Sequence, residues 1–83
     1  MADEDIIETL SGWATKVAAE FKIDAPSTQA INQLLGTAGV AAHQVARPAA
    51  PVTTYLIGVA LASDPSLTLE TAVATIAKLA EES

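Results

Sequence analysis

Two cationic side chains stand apart in a chain that is otherwise acidic or apolar: His43, the single histidine, and Arg47, the one formally charged residue between Asp24 and Asp64. They lie four residues apart in AHQVARPAAPVTTY, where two apolar segments of helical pattern meet. Arg47 offers a planar fork of donors, and His43 with the hydroxyls of Thr53 and Thr54 would complete a small anion- or nucleotide-binding site at a helix start. The structural alternative is that both cations complement the C-terminal dipole of the preceding helix and cap its last carbonyls, with Arg47 reaching a carboxylate on another helix. Pro48 and Pro51 weigh against the anion site, because they remove two of the amide donors it would use.

Other chemistry has less to work with. Nucleophilic catalysis needs a Ser or Thr held by a base that a third group orients, and His43 would have to serve as that base for Thr53 or Thr54. The chain has no cysteine, which removes disulfides and thiolate metal sites, and one histidine does not make a zinc or iron centre. No glycine-rich phosphate loop follows a strand pattern. The chain reads as a protein that is not an enzyme, with no metal and no cofactor.

The elements that must position the junction are helices. Of 83 residues 51% are apolar but only 4% aromatic, so the core is built from Ala, Leu, Ile and Val, which favours close-packed helices in one small domain over residues 1–83. Helix one spans about 3–21, with Ile6, Leu10, Trp13, Val17 and Phe21 on one face and the acids Asp3, Glu4 and Asp5 in the first turn, where the helix dipole favours them. Helix two spans about 27–45 behind a Ser27 or Thr28 cap, with Ile31, Leu35, Ala38, Ala42 and Val45 as its apolar stripe. Helix three spans about 49–63 and leaves no wide polar face, the mark of a helix surrounded by protein. Helix four spans about 69–82 behind a Thr68 cap, with Leu69, Val73, Ile76 and Ala80 inward. Four amphipathic segments with short connections predict an all-α, compact antiparallel four-helix bundle. Trp13 and Tyr55 are expected in the core or at its rim.

The second face of helix two carries Gln29, Asn32, Gln33, Gly36 and Val40 and, toward its end, His43 and Arg47; it is polar yet almost uncharged, and its neutral part costs little to desolvate. Together with Ile57 and Leu61 of helix three it forms the expected interface, for a partner or for a second copy in a homodimer. Gly36 and Gly39 weaken an isolated helix by about 1 kcal/mol each and suggest close approach of another backbone. The net charge of −6 repels phosphate backbones and anionic headgroups, which argues against nucleic acid and membrane surfaces as partners. An acidic N-terminus and the lack of an 18-residue apolar run point to a cytoplasmic protein.

The stretch AHQVARPAAPVTTYLIGVA, with Trp13 and the break before Asp24, resembles a small bacterial domain family of uncharacterised function. Its members occur alone or are associated with the guanylyltransferases that build molybdopterin guanine dinucleotide, the nucleotide form of the molybdenum cofactor. The matching positions are His43, Arg47, Pro48, Pro51, Thr53 and Thr54. This resemblance implies an accessory role in molybdenum-cofactor biosynthesis, by docking on the guanylyltransferase, and no activity of the domain's own. The nucleotide-binding α/β domain that the enzyme needs cannot be built from this chain.

Overall fold

The computed structural model describes residues 4–82; Asp3, expected in the first turn, lies outside them. The chain is all-α, with α1 over Glu4–Phe21, α2 over Thr28–Gln44, α3 over Ala49–Ser63 and α4 over Leu69–Glu82. Among the described residues there is no strand, and no helix is long and apolar enough to cross a membrane. The expected boundaries hold to one residue, because caps and breakers written into the sequence set them.

Ser27 caps α2 by accepting the Ala30 N–H on Oγ at 3.1 Å. Thr68 does the same for α4, accepting the Thr71 N–H at 3.2 Å, while its own hydroxyl donates to Thr71 Oγ1 at 3.0 Å. Each bond satisfies one of the orphan donors of a first turn. The α3 start has no side-chain cap; Pro48 sits there with φ −67° and ψ −10°, and Pro51 falls in the first turn, where a missing donor costs nothing. At the other end of α3, Pro65 pushes Asp64 into extended backbone, φ −127° and ψ 101°, and the helix stops.

The α1 terminus is built differently. Ile23 N–H donates to Ala18 C=O at 2.9 Å and Lys22 N–H to Ala19 C=O at 3.2 Å, the paired bonds of a Schellman turn, with Lys22 in the left-handed region at φ 59°. That position favours glycine, and a lysine there carries Cβ strain that the two closing bonds offset.

The chain falls into two units, residues 1–32 and 33–83, with the boundary inside α2. In the first unit the covered arc of α1 centres on Ala18, with Ile7, Ser11 and Ala14 half-covered. In the second unit α3 and α4 pack together, with Ile57, Ala72 and Ala80 buried, and α2 contributes buried Thr37 and Ala41.

These arcs are rotated from the expected stripes. Trp13 and Phe21 of α1 and Val45 of α2 are exposed, and Leu35 is partly so. Tyr55 is 70% exposed and Trp13 64%, so neither aromatic belongs to the core. On α1 the physical reason is residue size: where the covered position is an alanine, Ala18, the larger neighbours on the wheel are carried to the flank. Gly36 and Gly39 are also not points of close approach, since a Cβ at either would meet nothing within 4 Å.

Two outcomes follow for stability. Lys22→Gly relieves the left-handed strain and should raise unfolding free energy by about 0.5–1 kcal/mol in urea titration, net of the extra freedom glycine has when unfolded. Asp64 accepts both the Ser66 hydroxyl at 2.7 Å and the Ser66 N–H at 3.0 Å on Oδ1, and these bonds, the hydroxyl first, hold its carboxyl below the usual 3.8. A depressed folded-state value means the contribution is complete above the unfolded value and is lost as pH falls through the folded one. Unfolding curves between about pH 5 and pH 2 should therefore show a loss that Asp64→Asn, which keeps an acceptor but cannot titrate, makes shallower.

Candidate interaction faces

α2 ends at Gln44 because Arg47 precedes Pro48 and is biased away from helical backbone. The Val45 and Ala46 N–H groups both donate to Ala41 C=O, at 3.0 and 3.2 Å, and Ala49 N–H closes a turn onto Ala46 C=O at 2.8 Å. His43 is therefore in the last turn of α2 and Arg47 is in the following turn, so the four-residue spacing does not set them on one helical face. Both side chains are exposed, and neither makes a hydrogen bond or an ion pair. The expected capping of α2 carbonyls by these cations is not formed.

The two threonines go elsewhere. Thr54 donates its hydroxyl back to its own helix, to Pro51 C=O at 3.1 Å and Ala50 C=O at 3.2 Å. Thr53 lines an apolar cleft of about 280 Å³ formed by Ala41, Val45, Ile76, Leu79 and Ala80, where α2, α3 and α4 meet. That cleft contains neither His43 nor Arg47. No group of three or more His, Asp or Glu among the described residues is placed to hold a metal ion.

Of the expected interface residues, Gln29, Asn32 and Gly36 are exposed, while Gln33, Val40 and Leu61 are half-covered. Ile57 is 3% exposed and is a correction: it is a core residue of the second unit, not part of a docking face. A helix whose apolar residues run all round must still turn one of its sides to its neighbours, and here that side is Ile57's.

Two apolar faces stand open instead. On α1, Trp13 separates two shallow hollows. One, of about 300 Å³, is lined by Trp13, Lys16, Val17, Glu20 and Phe21. The other, of about 260 Å³, runs from Trp13 past Ala14 and Ala18 to Ile23, Asp24 and Pro26. The Schellman turn makes this surface, since it folds Ile23 back over the last turn of α1. On α3, Val52, Tyr55, Leu56 and Val59 follow helical spacing along the side opposite Ile57 and expose 43–70% of their area. The absence of any charged residue in Ala49–Ser63 was the signal for this second face; which side of α3 would be open was not legible.

Among the described residues one buried side-chain group lacks a partner. Thr37 is 2% exposed and its Oγ1 bonds to nothing. Elsewhere the chain uses helical hydroxyls regularly: Thr9, Thr15, Ser63 and Thr75 each donate to the carbonyl four residues earlier. Such back-bonding is the usual way a helical hydroxyl is satisfied.

A family model described as a domain of unknown function, DUF6457, matches residues 5–83, nearly the whole chain. No curated protein and no solved structure gives a significant match.

The orphaned hydroxyl yields a test. Thr37→Val keeps the β-branched shape and removes the unpaired polar atom, so thermal and urea unfolding should show a gain of about 1–2 kcal/mol.

Proposed function

We propose that this chain, which belongs to the DUF6457 family of domains of unknown function, is a non-catalytic interaction domain that binds a partner protein through the Trp13 face of α1. The observation that carries the reading is the exposure of Trp13, Phe21 and Ile23 around two adjoining apolar hollows. Tryptophan is the residue most enriched at the energetic centre of protein interfaces, and an apolar centre edged by Lys16 and Glu20 has the layout of a core and a polar rim. The uncharged face of α2 offers amides but no apolar anchor, so it is the weaker contact surface. The partner is the guanylyltransferase of molybdenum-cofactor biosynthesis, which the sequence resemblance implies, and the domain's role is accessory to that nucleotide transfer.

A second reading, an anion- or nucleotide-binding module on His43 and Arg47, is favoured by one observation: both cations are exposed without a protein partner. Thr54 adds little to it, because its hydroxyl proton is committed to its own helix.

Both readings are tested by amide NMR on the labelled chain, titrated with the guanylyltransferase of the same genome and then with GTP alone. The expected result is attenuation of the Trp13 indole N–H and of amides near Phe21 and Ile23 on adding the enzyme. Trp13→Ala should weaken that binding about 30-fold, in line with loss of a central aromatic anchor of about 2 kcal/mol. No attenuation with the enzyme, but shifts from His43 to Thr54 with GTP, would replace the docking reading by the anion site.

A further inference from the structure

The open face of α3 has a pattern that its own chain does not use. Val52, Tyr55, Leu56 and Val59 stand at i, i+3, i+4 and i+7, the spacing of one helical stripe, and they lie opposite buried Ile57. The stripe is close to symmetric along its length: a valine, the Tyr55–Leu56 pair, then a valine. Beyond it, the first charge on the N-terminal side is Arg47 and the first on the C-terminal side is Asp64.

We propose that this face is the interface of a two-fold symmetric dimer, in which α3 of one copy packs antiparallel against α3 of a second copy. A two-fold contact needs a surface complementary to itself, in which residue i meets j and j meets i. An axis midway between Tyr55 and Leu56 satisfies that condition. It sets Val52 level with Val59 of the second copy and Tyr55 level with Leu56. Ala49–Ser63 carries no charge of either sign, so no like charges meet along α3.

Charge distribution disfavours α1 and α4 as contacts between copies and leaves α2 and α3, of which α3 carries the open apolar stripe. Two chains of net charge −6 repel, and the acids are carried by α1, by the Asp24 and Asp64 turns and by α4, while Ala49–Ser63 has none. Gly58 fits the same picture: it is exposed, a Cβ there would meet nothing within 4 Å, and its lack of a side chain leaves space beside Tyr55 for an approaching helix.

The four stripe side chains expose 43–70% of their area, and specific interfaces begin on the order of 1,000 Å² of total buried surface, the scale a symmetric pair of such helices must reach. Area does not fix affinity, so the association is followed over a wide range of concentration.

Sedimentation equilibrium on the full chain, from about 5 to about 500 µM, tests this. The expected result is a mass that rises from one chain toward two. Leu56→Asp, which sets two carboxylates close to the axis, should weaken the dimer at least about 100-fold with an unchanged circular dichroism spectrum, because Leu56 is exposed within its own chain. Trp13→Ala should leave self-association unchanged, which separates this interface from the partner face on α1. A chain that stays monomeric at about 500 µM, or a dimer indifferent to Leu56→Asp, would overturn the proposal whatever the outcome with the guanylyltransferase.

Discussion

The buried apolar residues of this chain are mostly small, and most of its structure depends on that. Of the six buried apolar residues described, four are alanines, Ala18, Ala41, Ala72 and Ala80, and two are isoleucines, Ile31 and Ile57. Alanine lets helix axes come close and loses no side-chain entropy, but it buries little area per contact. A core of this kind cannot cover the long side chains on either side of it. Trp13, Phe21, Val52, Tyr55, Leu56 and Leu79 therefore stay open, whatever task they serve.

The open side chains are not scattered. They gather on α1 around Trp13 and on α3 opposite Ile57, while the charged residues occupy α1, α4 and the turns. Single exposed apolar residues are ordinary on any protein, whereas contiguous ones mark contact surfaces. The two faces differ in kind. The α1 face is uneven, aromatic and edged by charges of both signs, which suits a different protein. The α3 face is smooth, uncharged and nearly symmetric about its centre, which suits a copy of itself.

The turns give these faces their form at some local cost. Lys22 accepts left-handed backbone so that Ile23 can fold back beside the last turn of α1. Arg47 and Pro48 stop α2 early enough that His43 and Arg47 part company, and Asp64 with Pro65 closes α3 through bonds from Ser66. Each is a local decision made by two or three residues. Together they fix where the apolar stripes begin and end.

The number of helices, their type and their ends were determined by the sequence alone, because Ser27, Thr68, Pro48, Pro51 and Pro65 act within a few residues of where they stand. So was the absence of charge from α3, which marked that helix as needing cover. Which arc of each helix turns inward was decided only by the tertiary structure. On α1 the choice lay between the stripe through Trp13 and the neighbouring one through Ala18, which share Val17 at their border, and periodicity scores both as apolar. On α1 the covered arc is the one of smaller residues, while on α3 Ile57 went inside and Val59 stayed outside, and on α2 the Thr37 hydroxyl was isolated. The choice depends on what the facing helices present at each level, and the pattern of one helix does not contain that information.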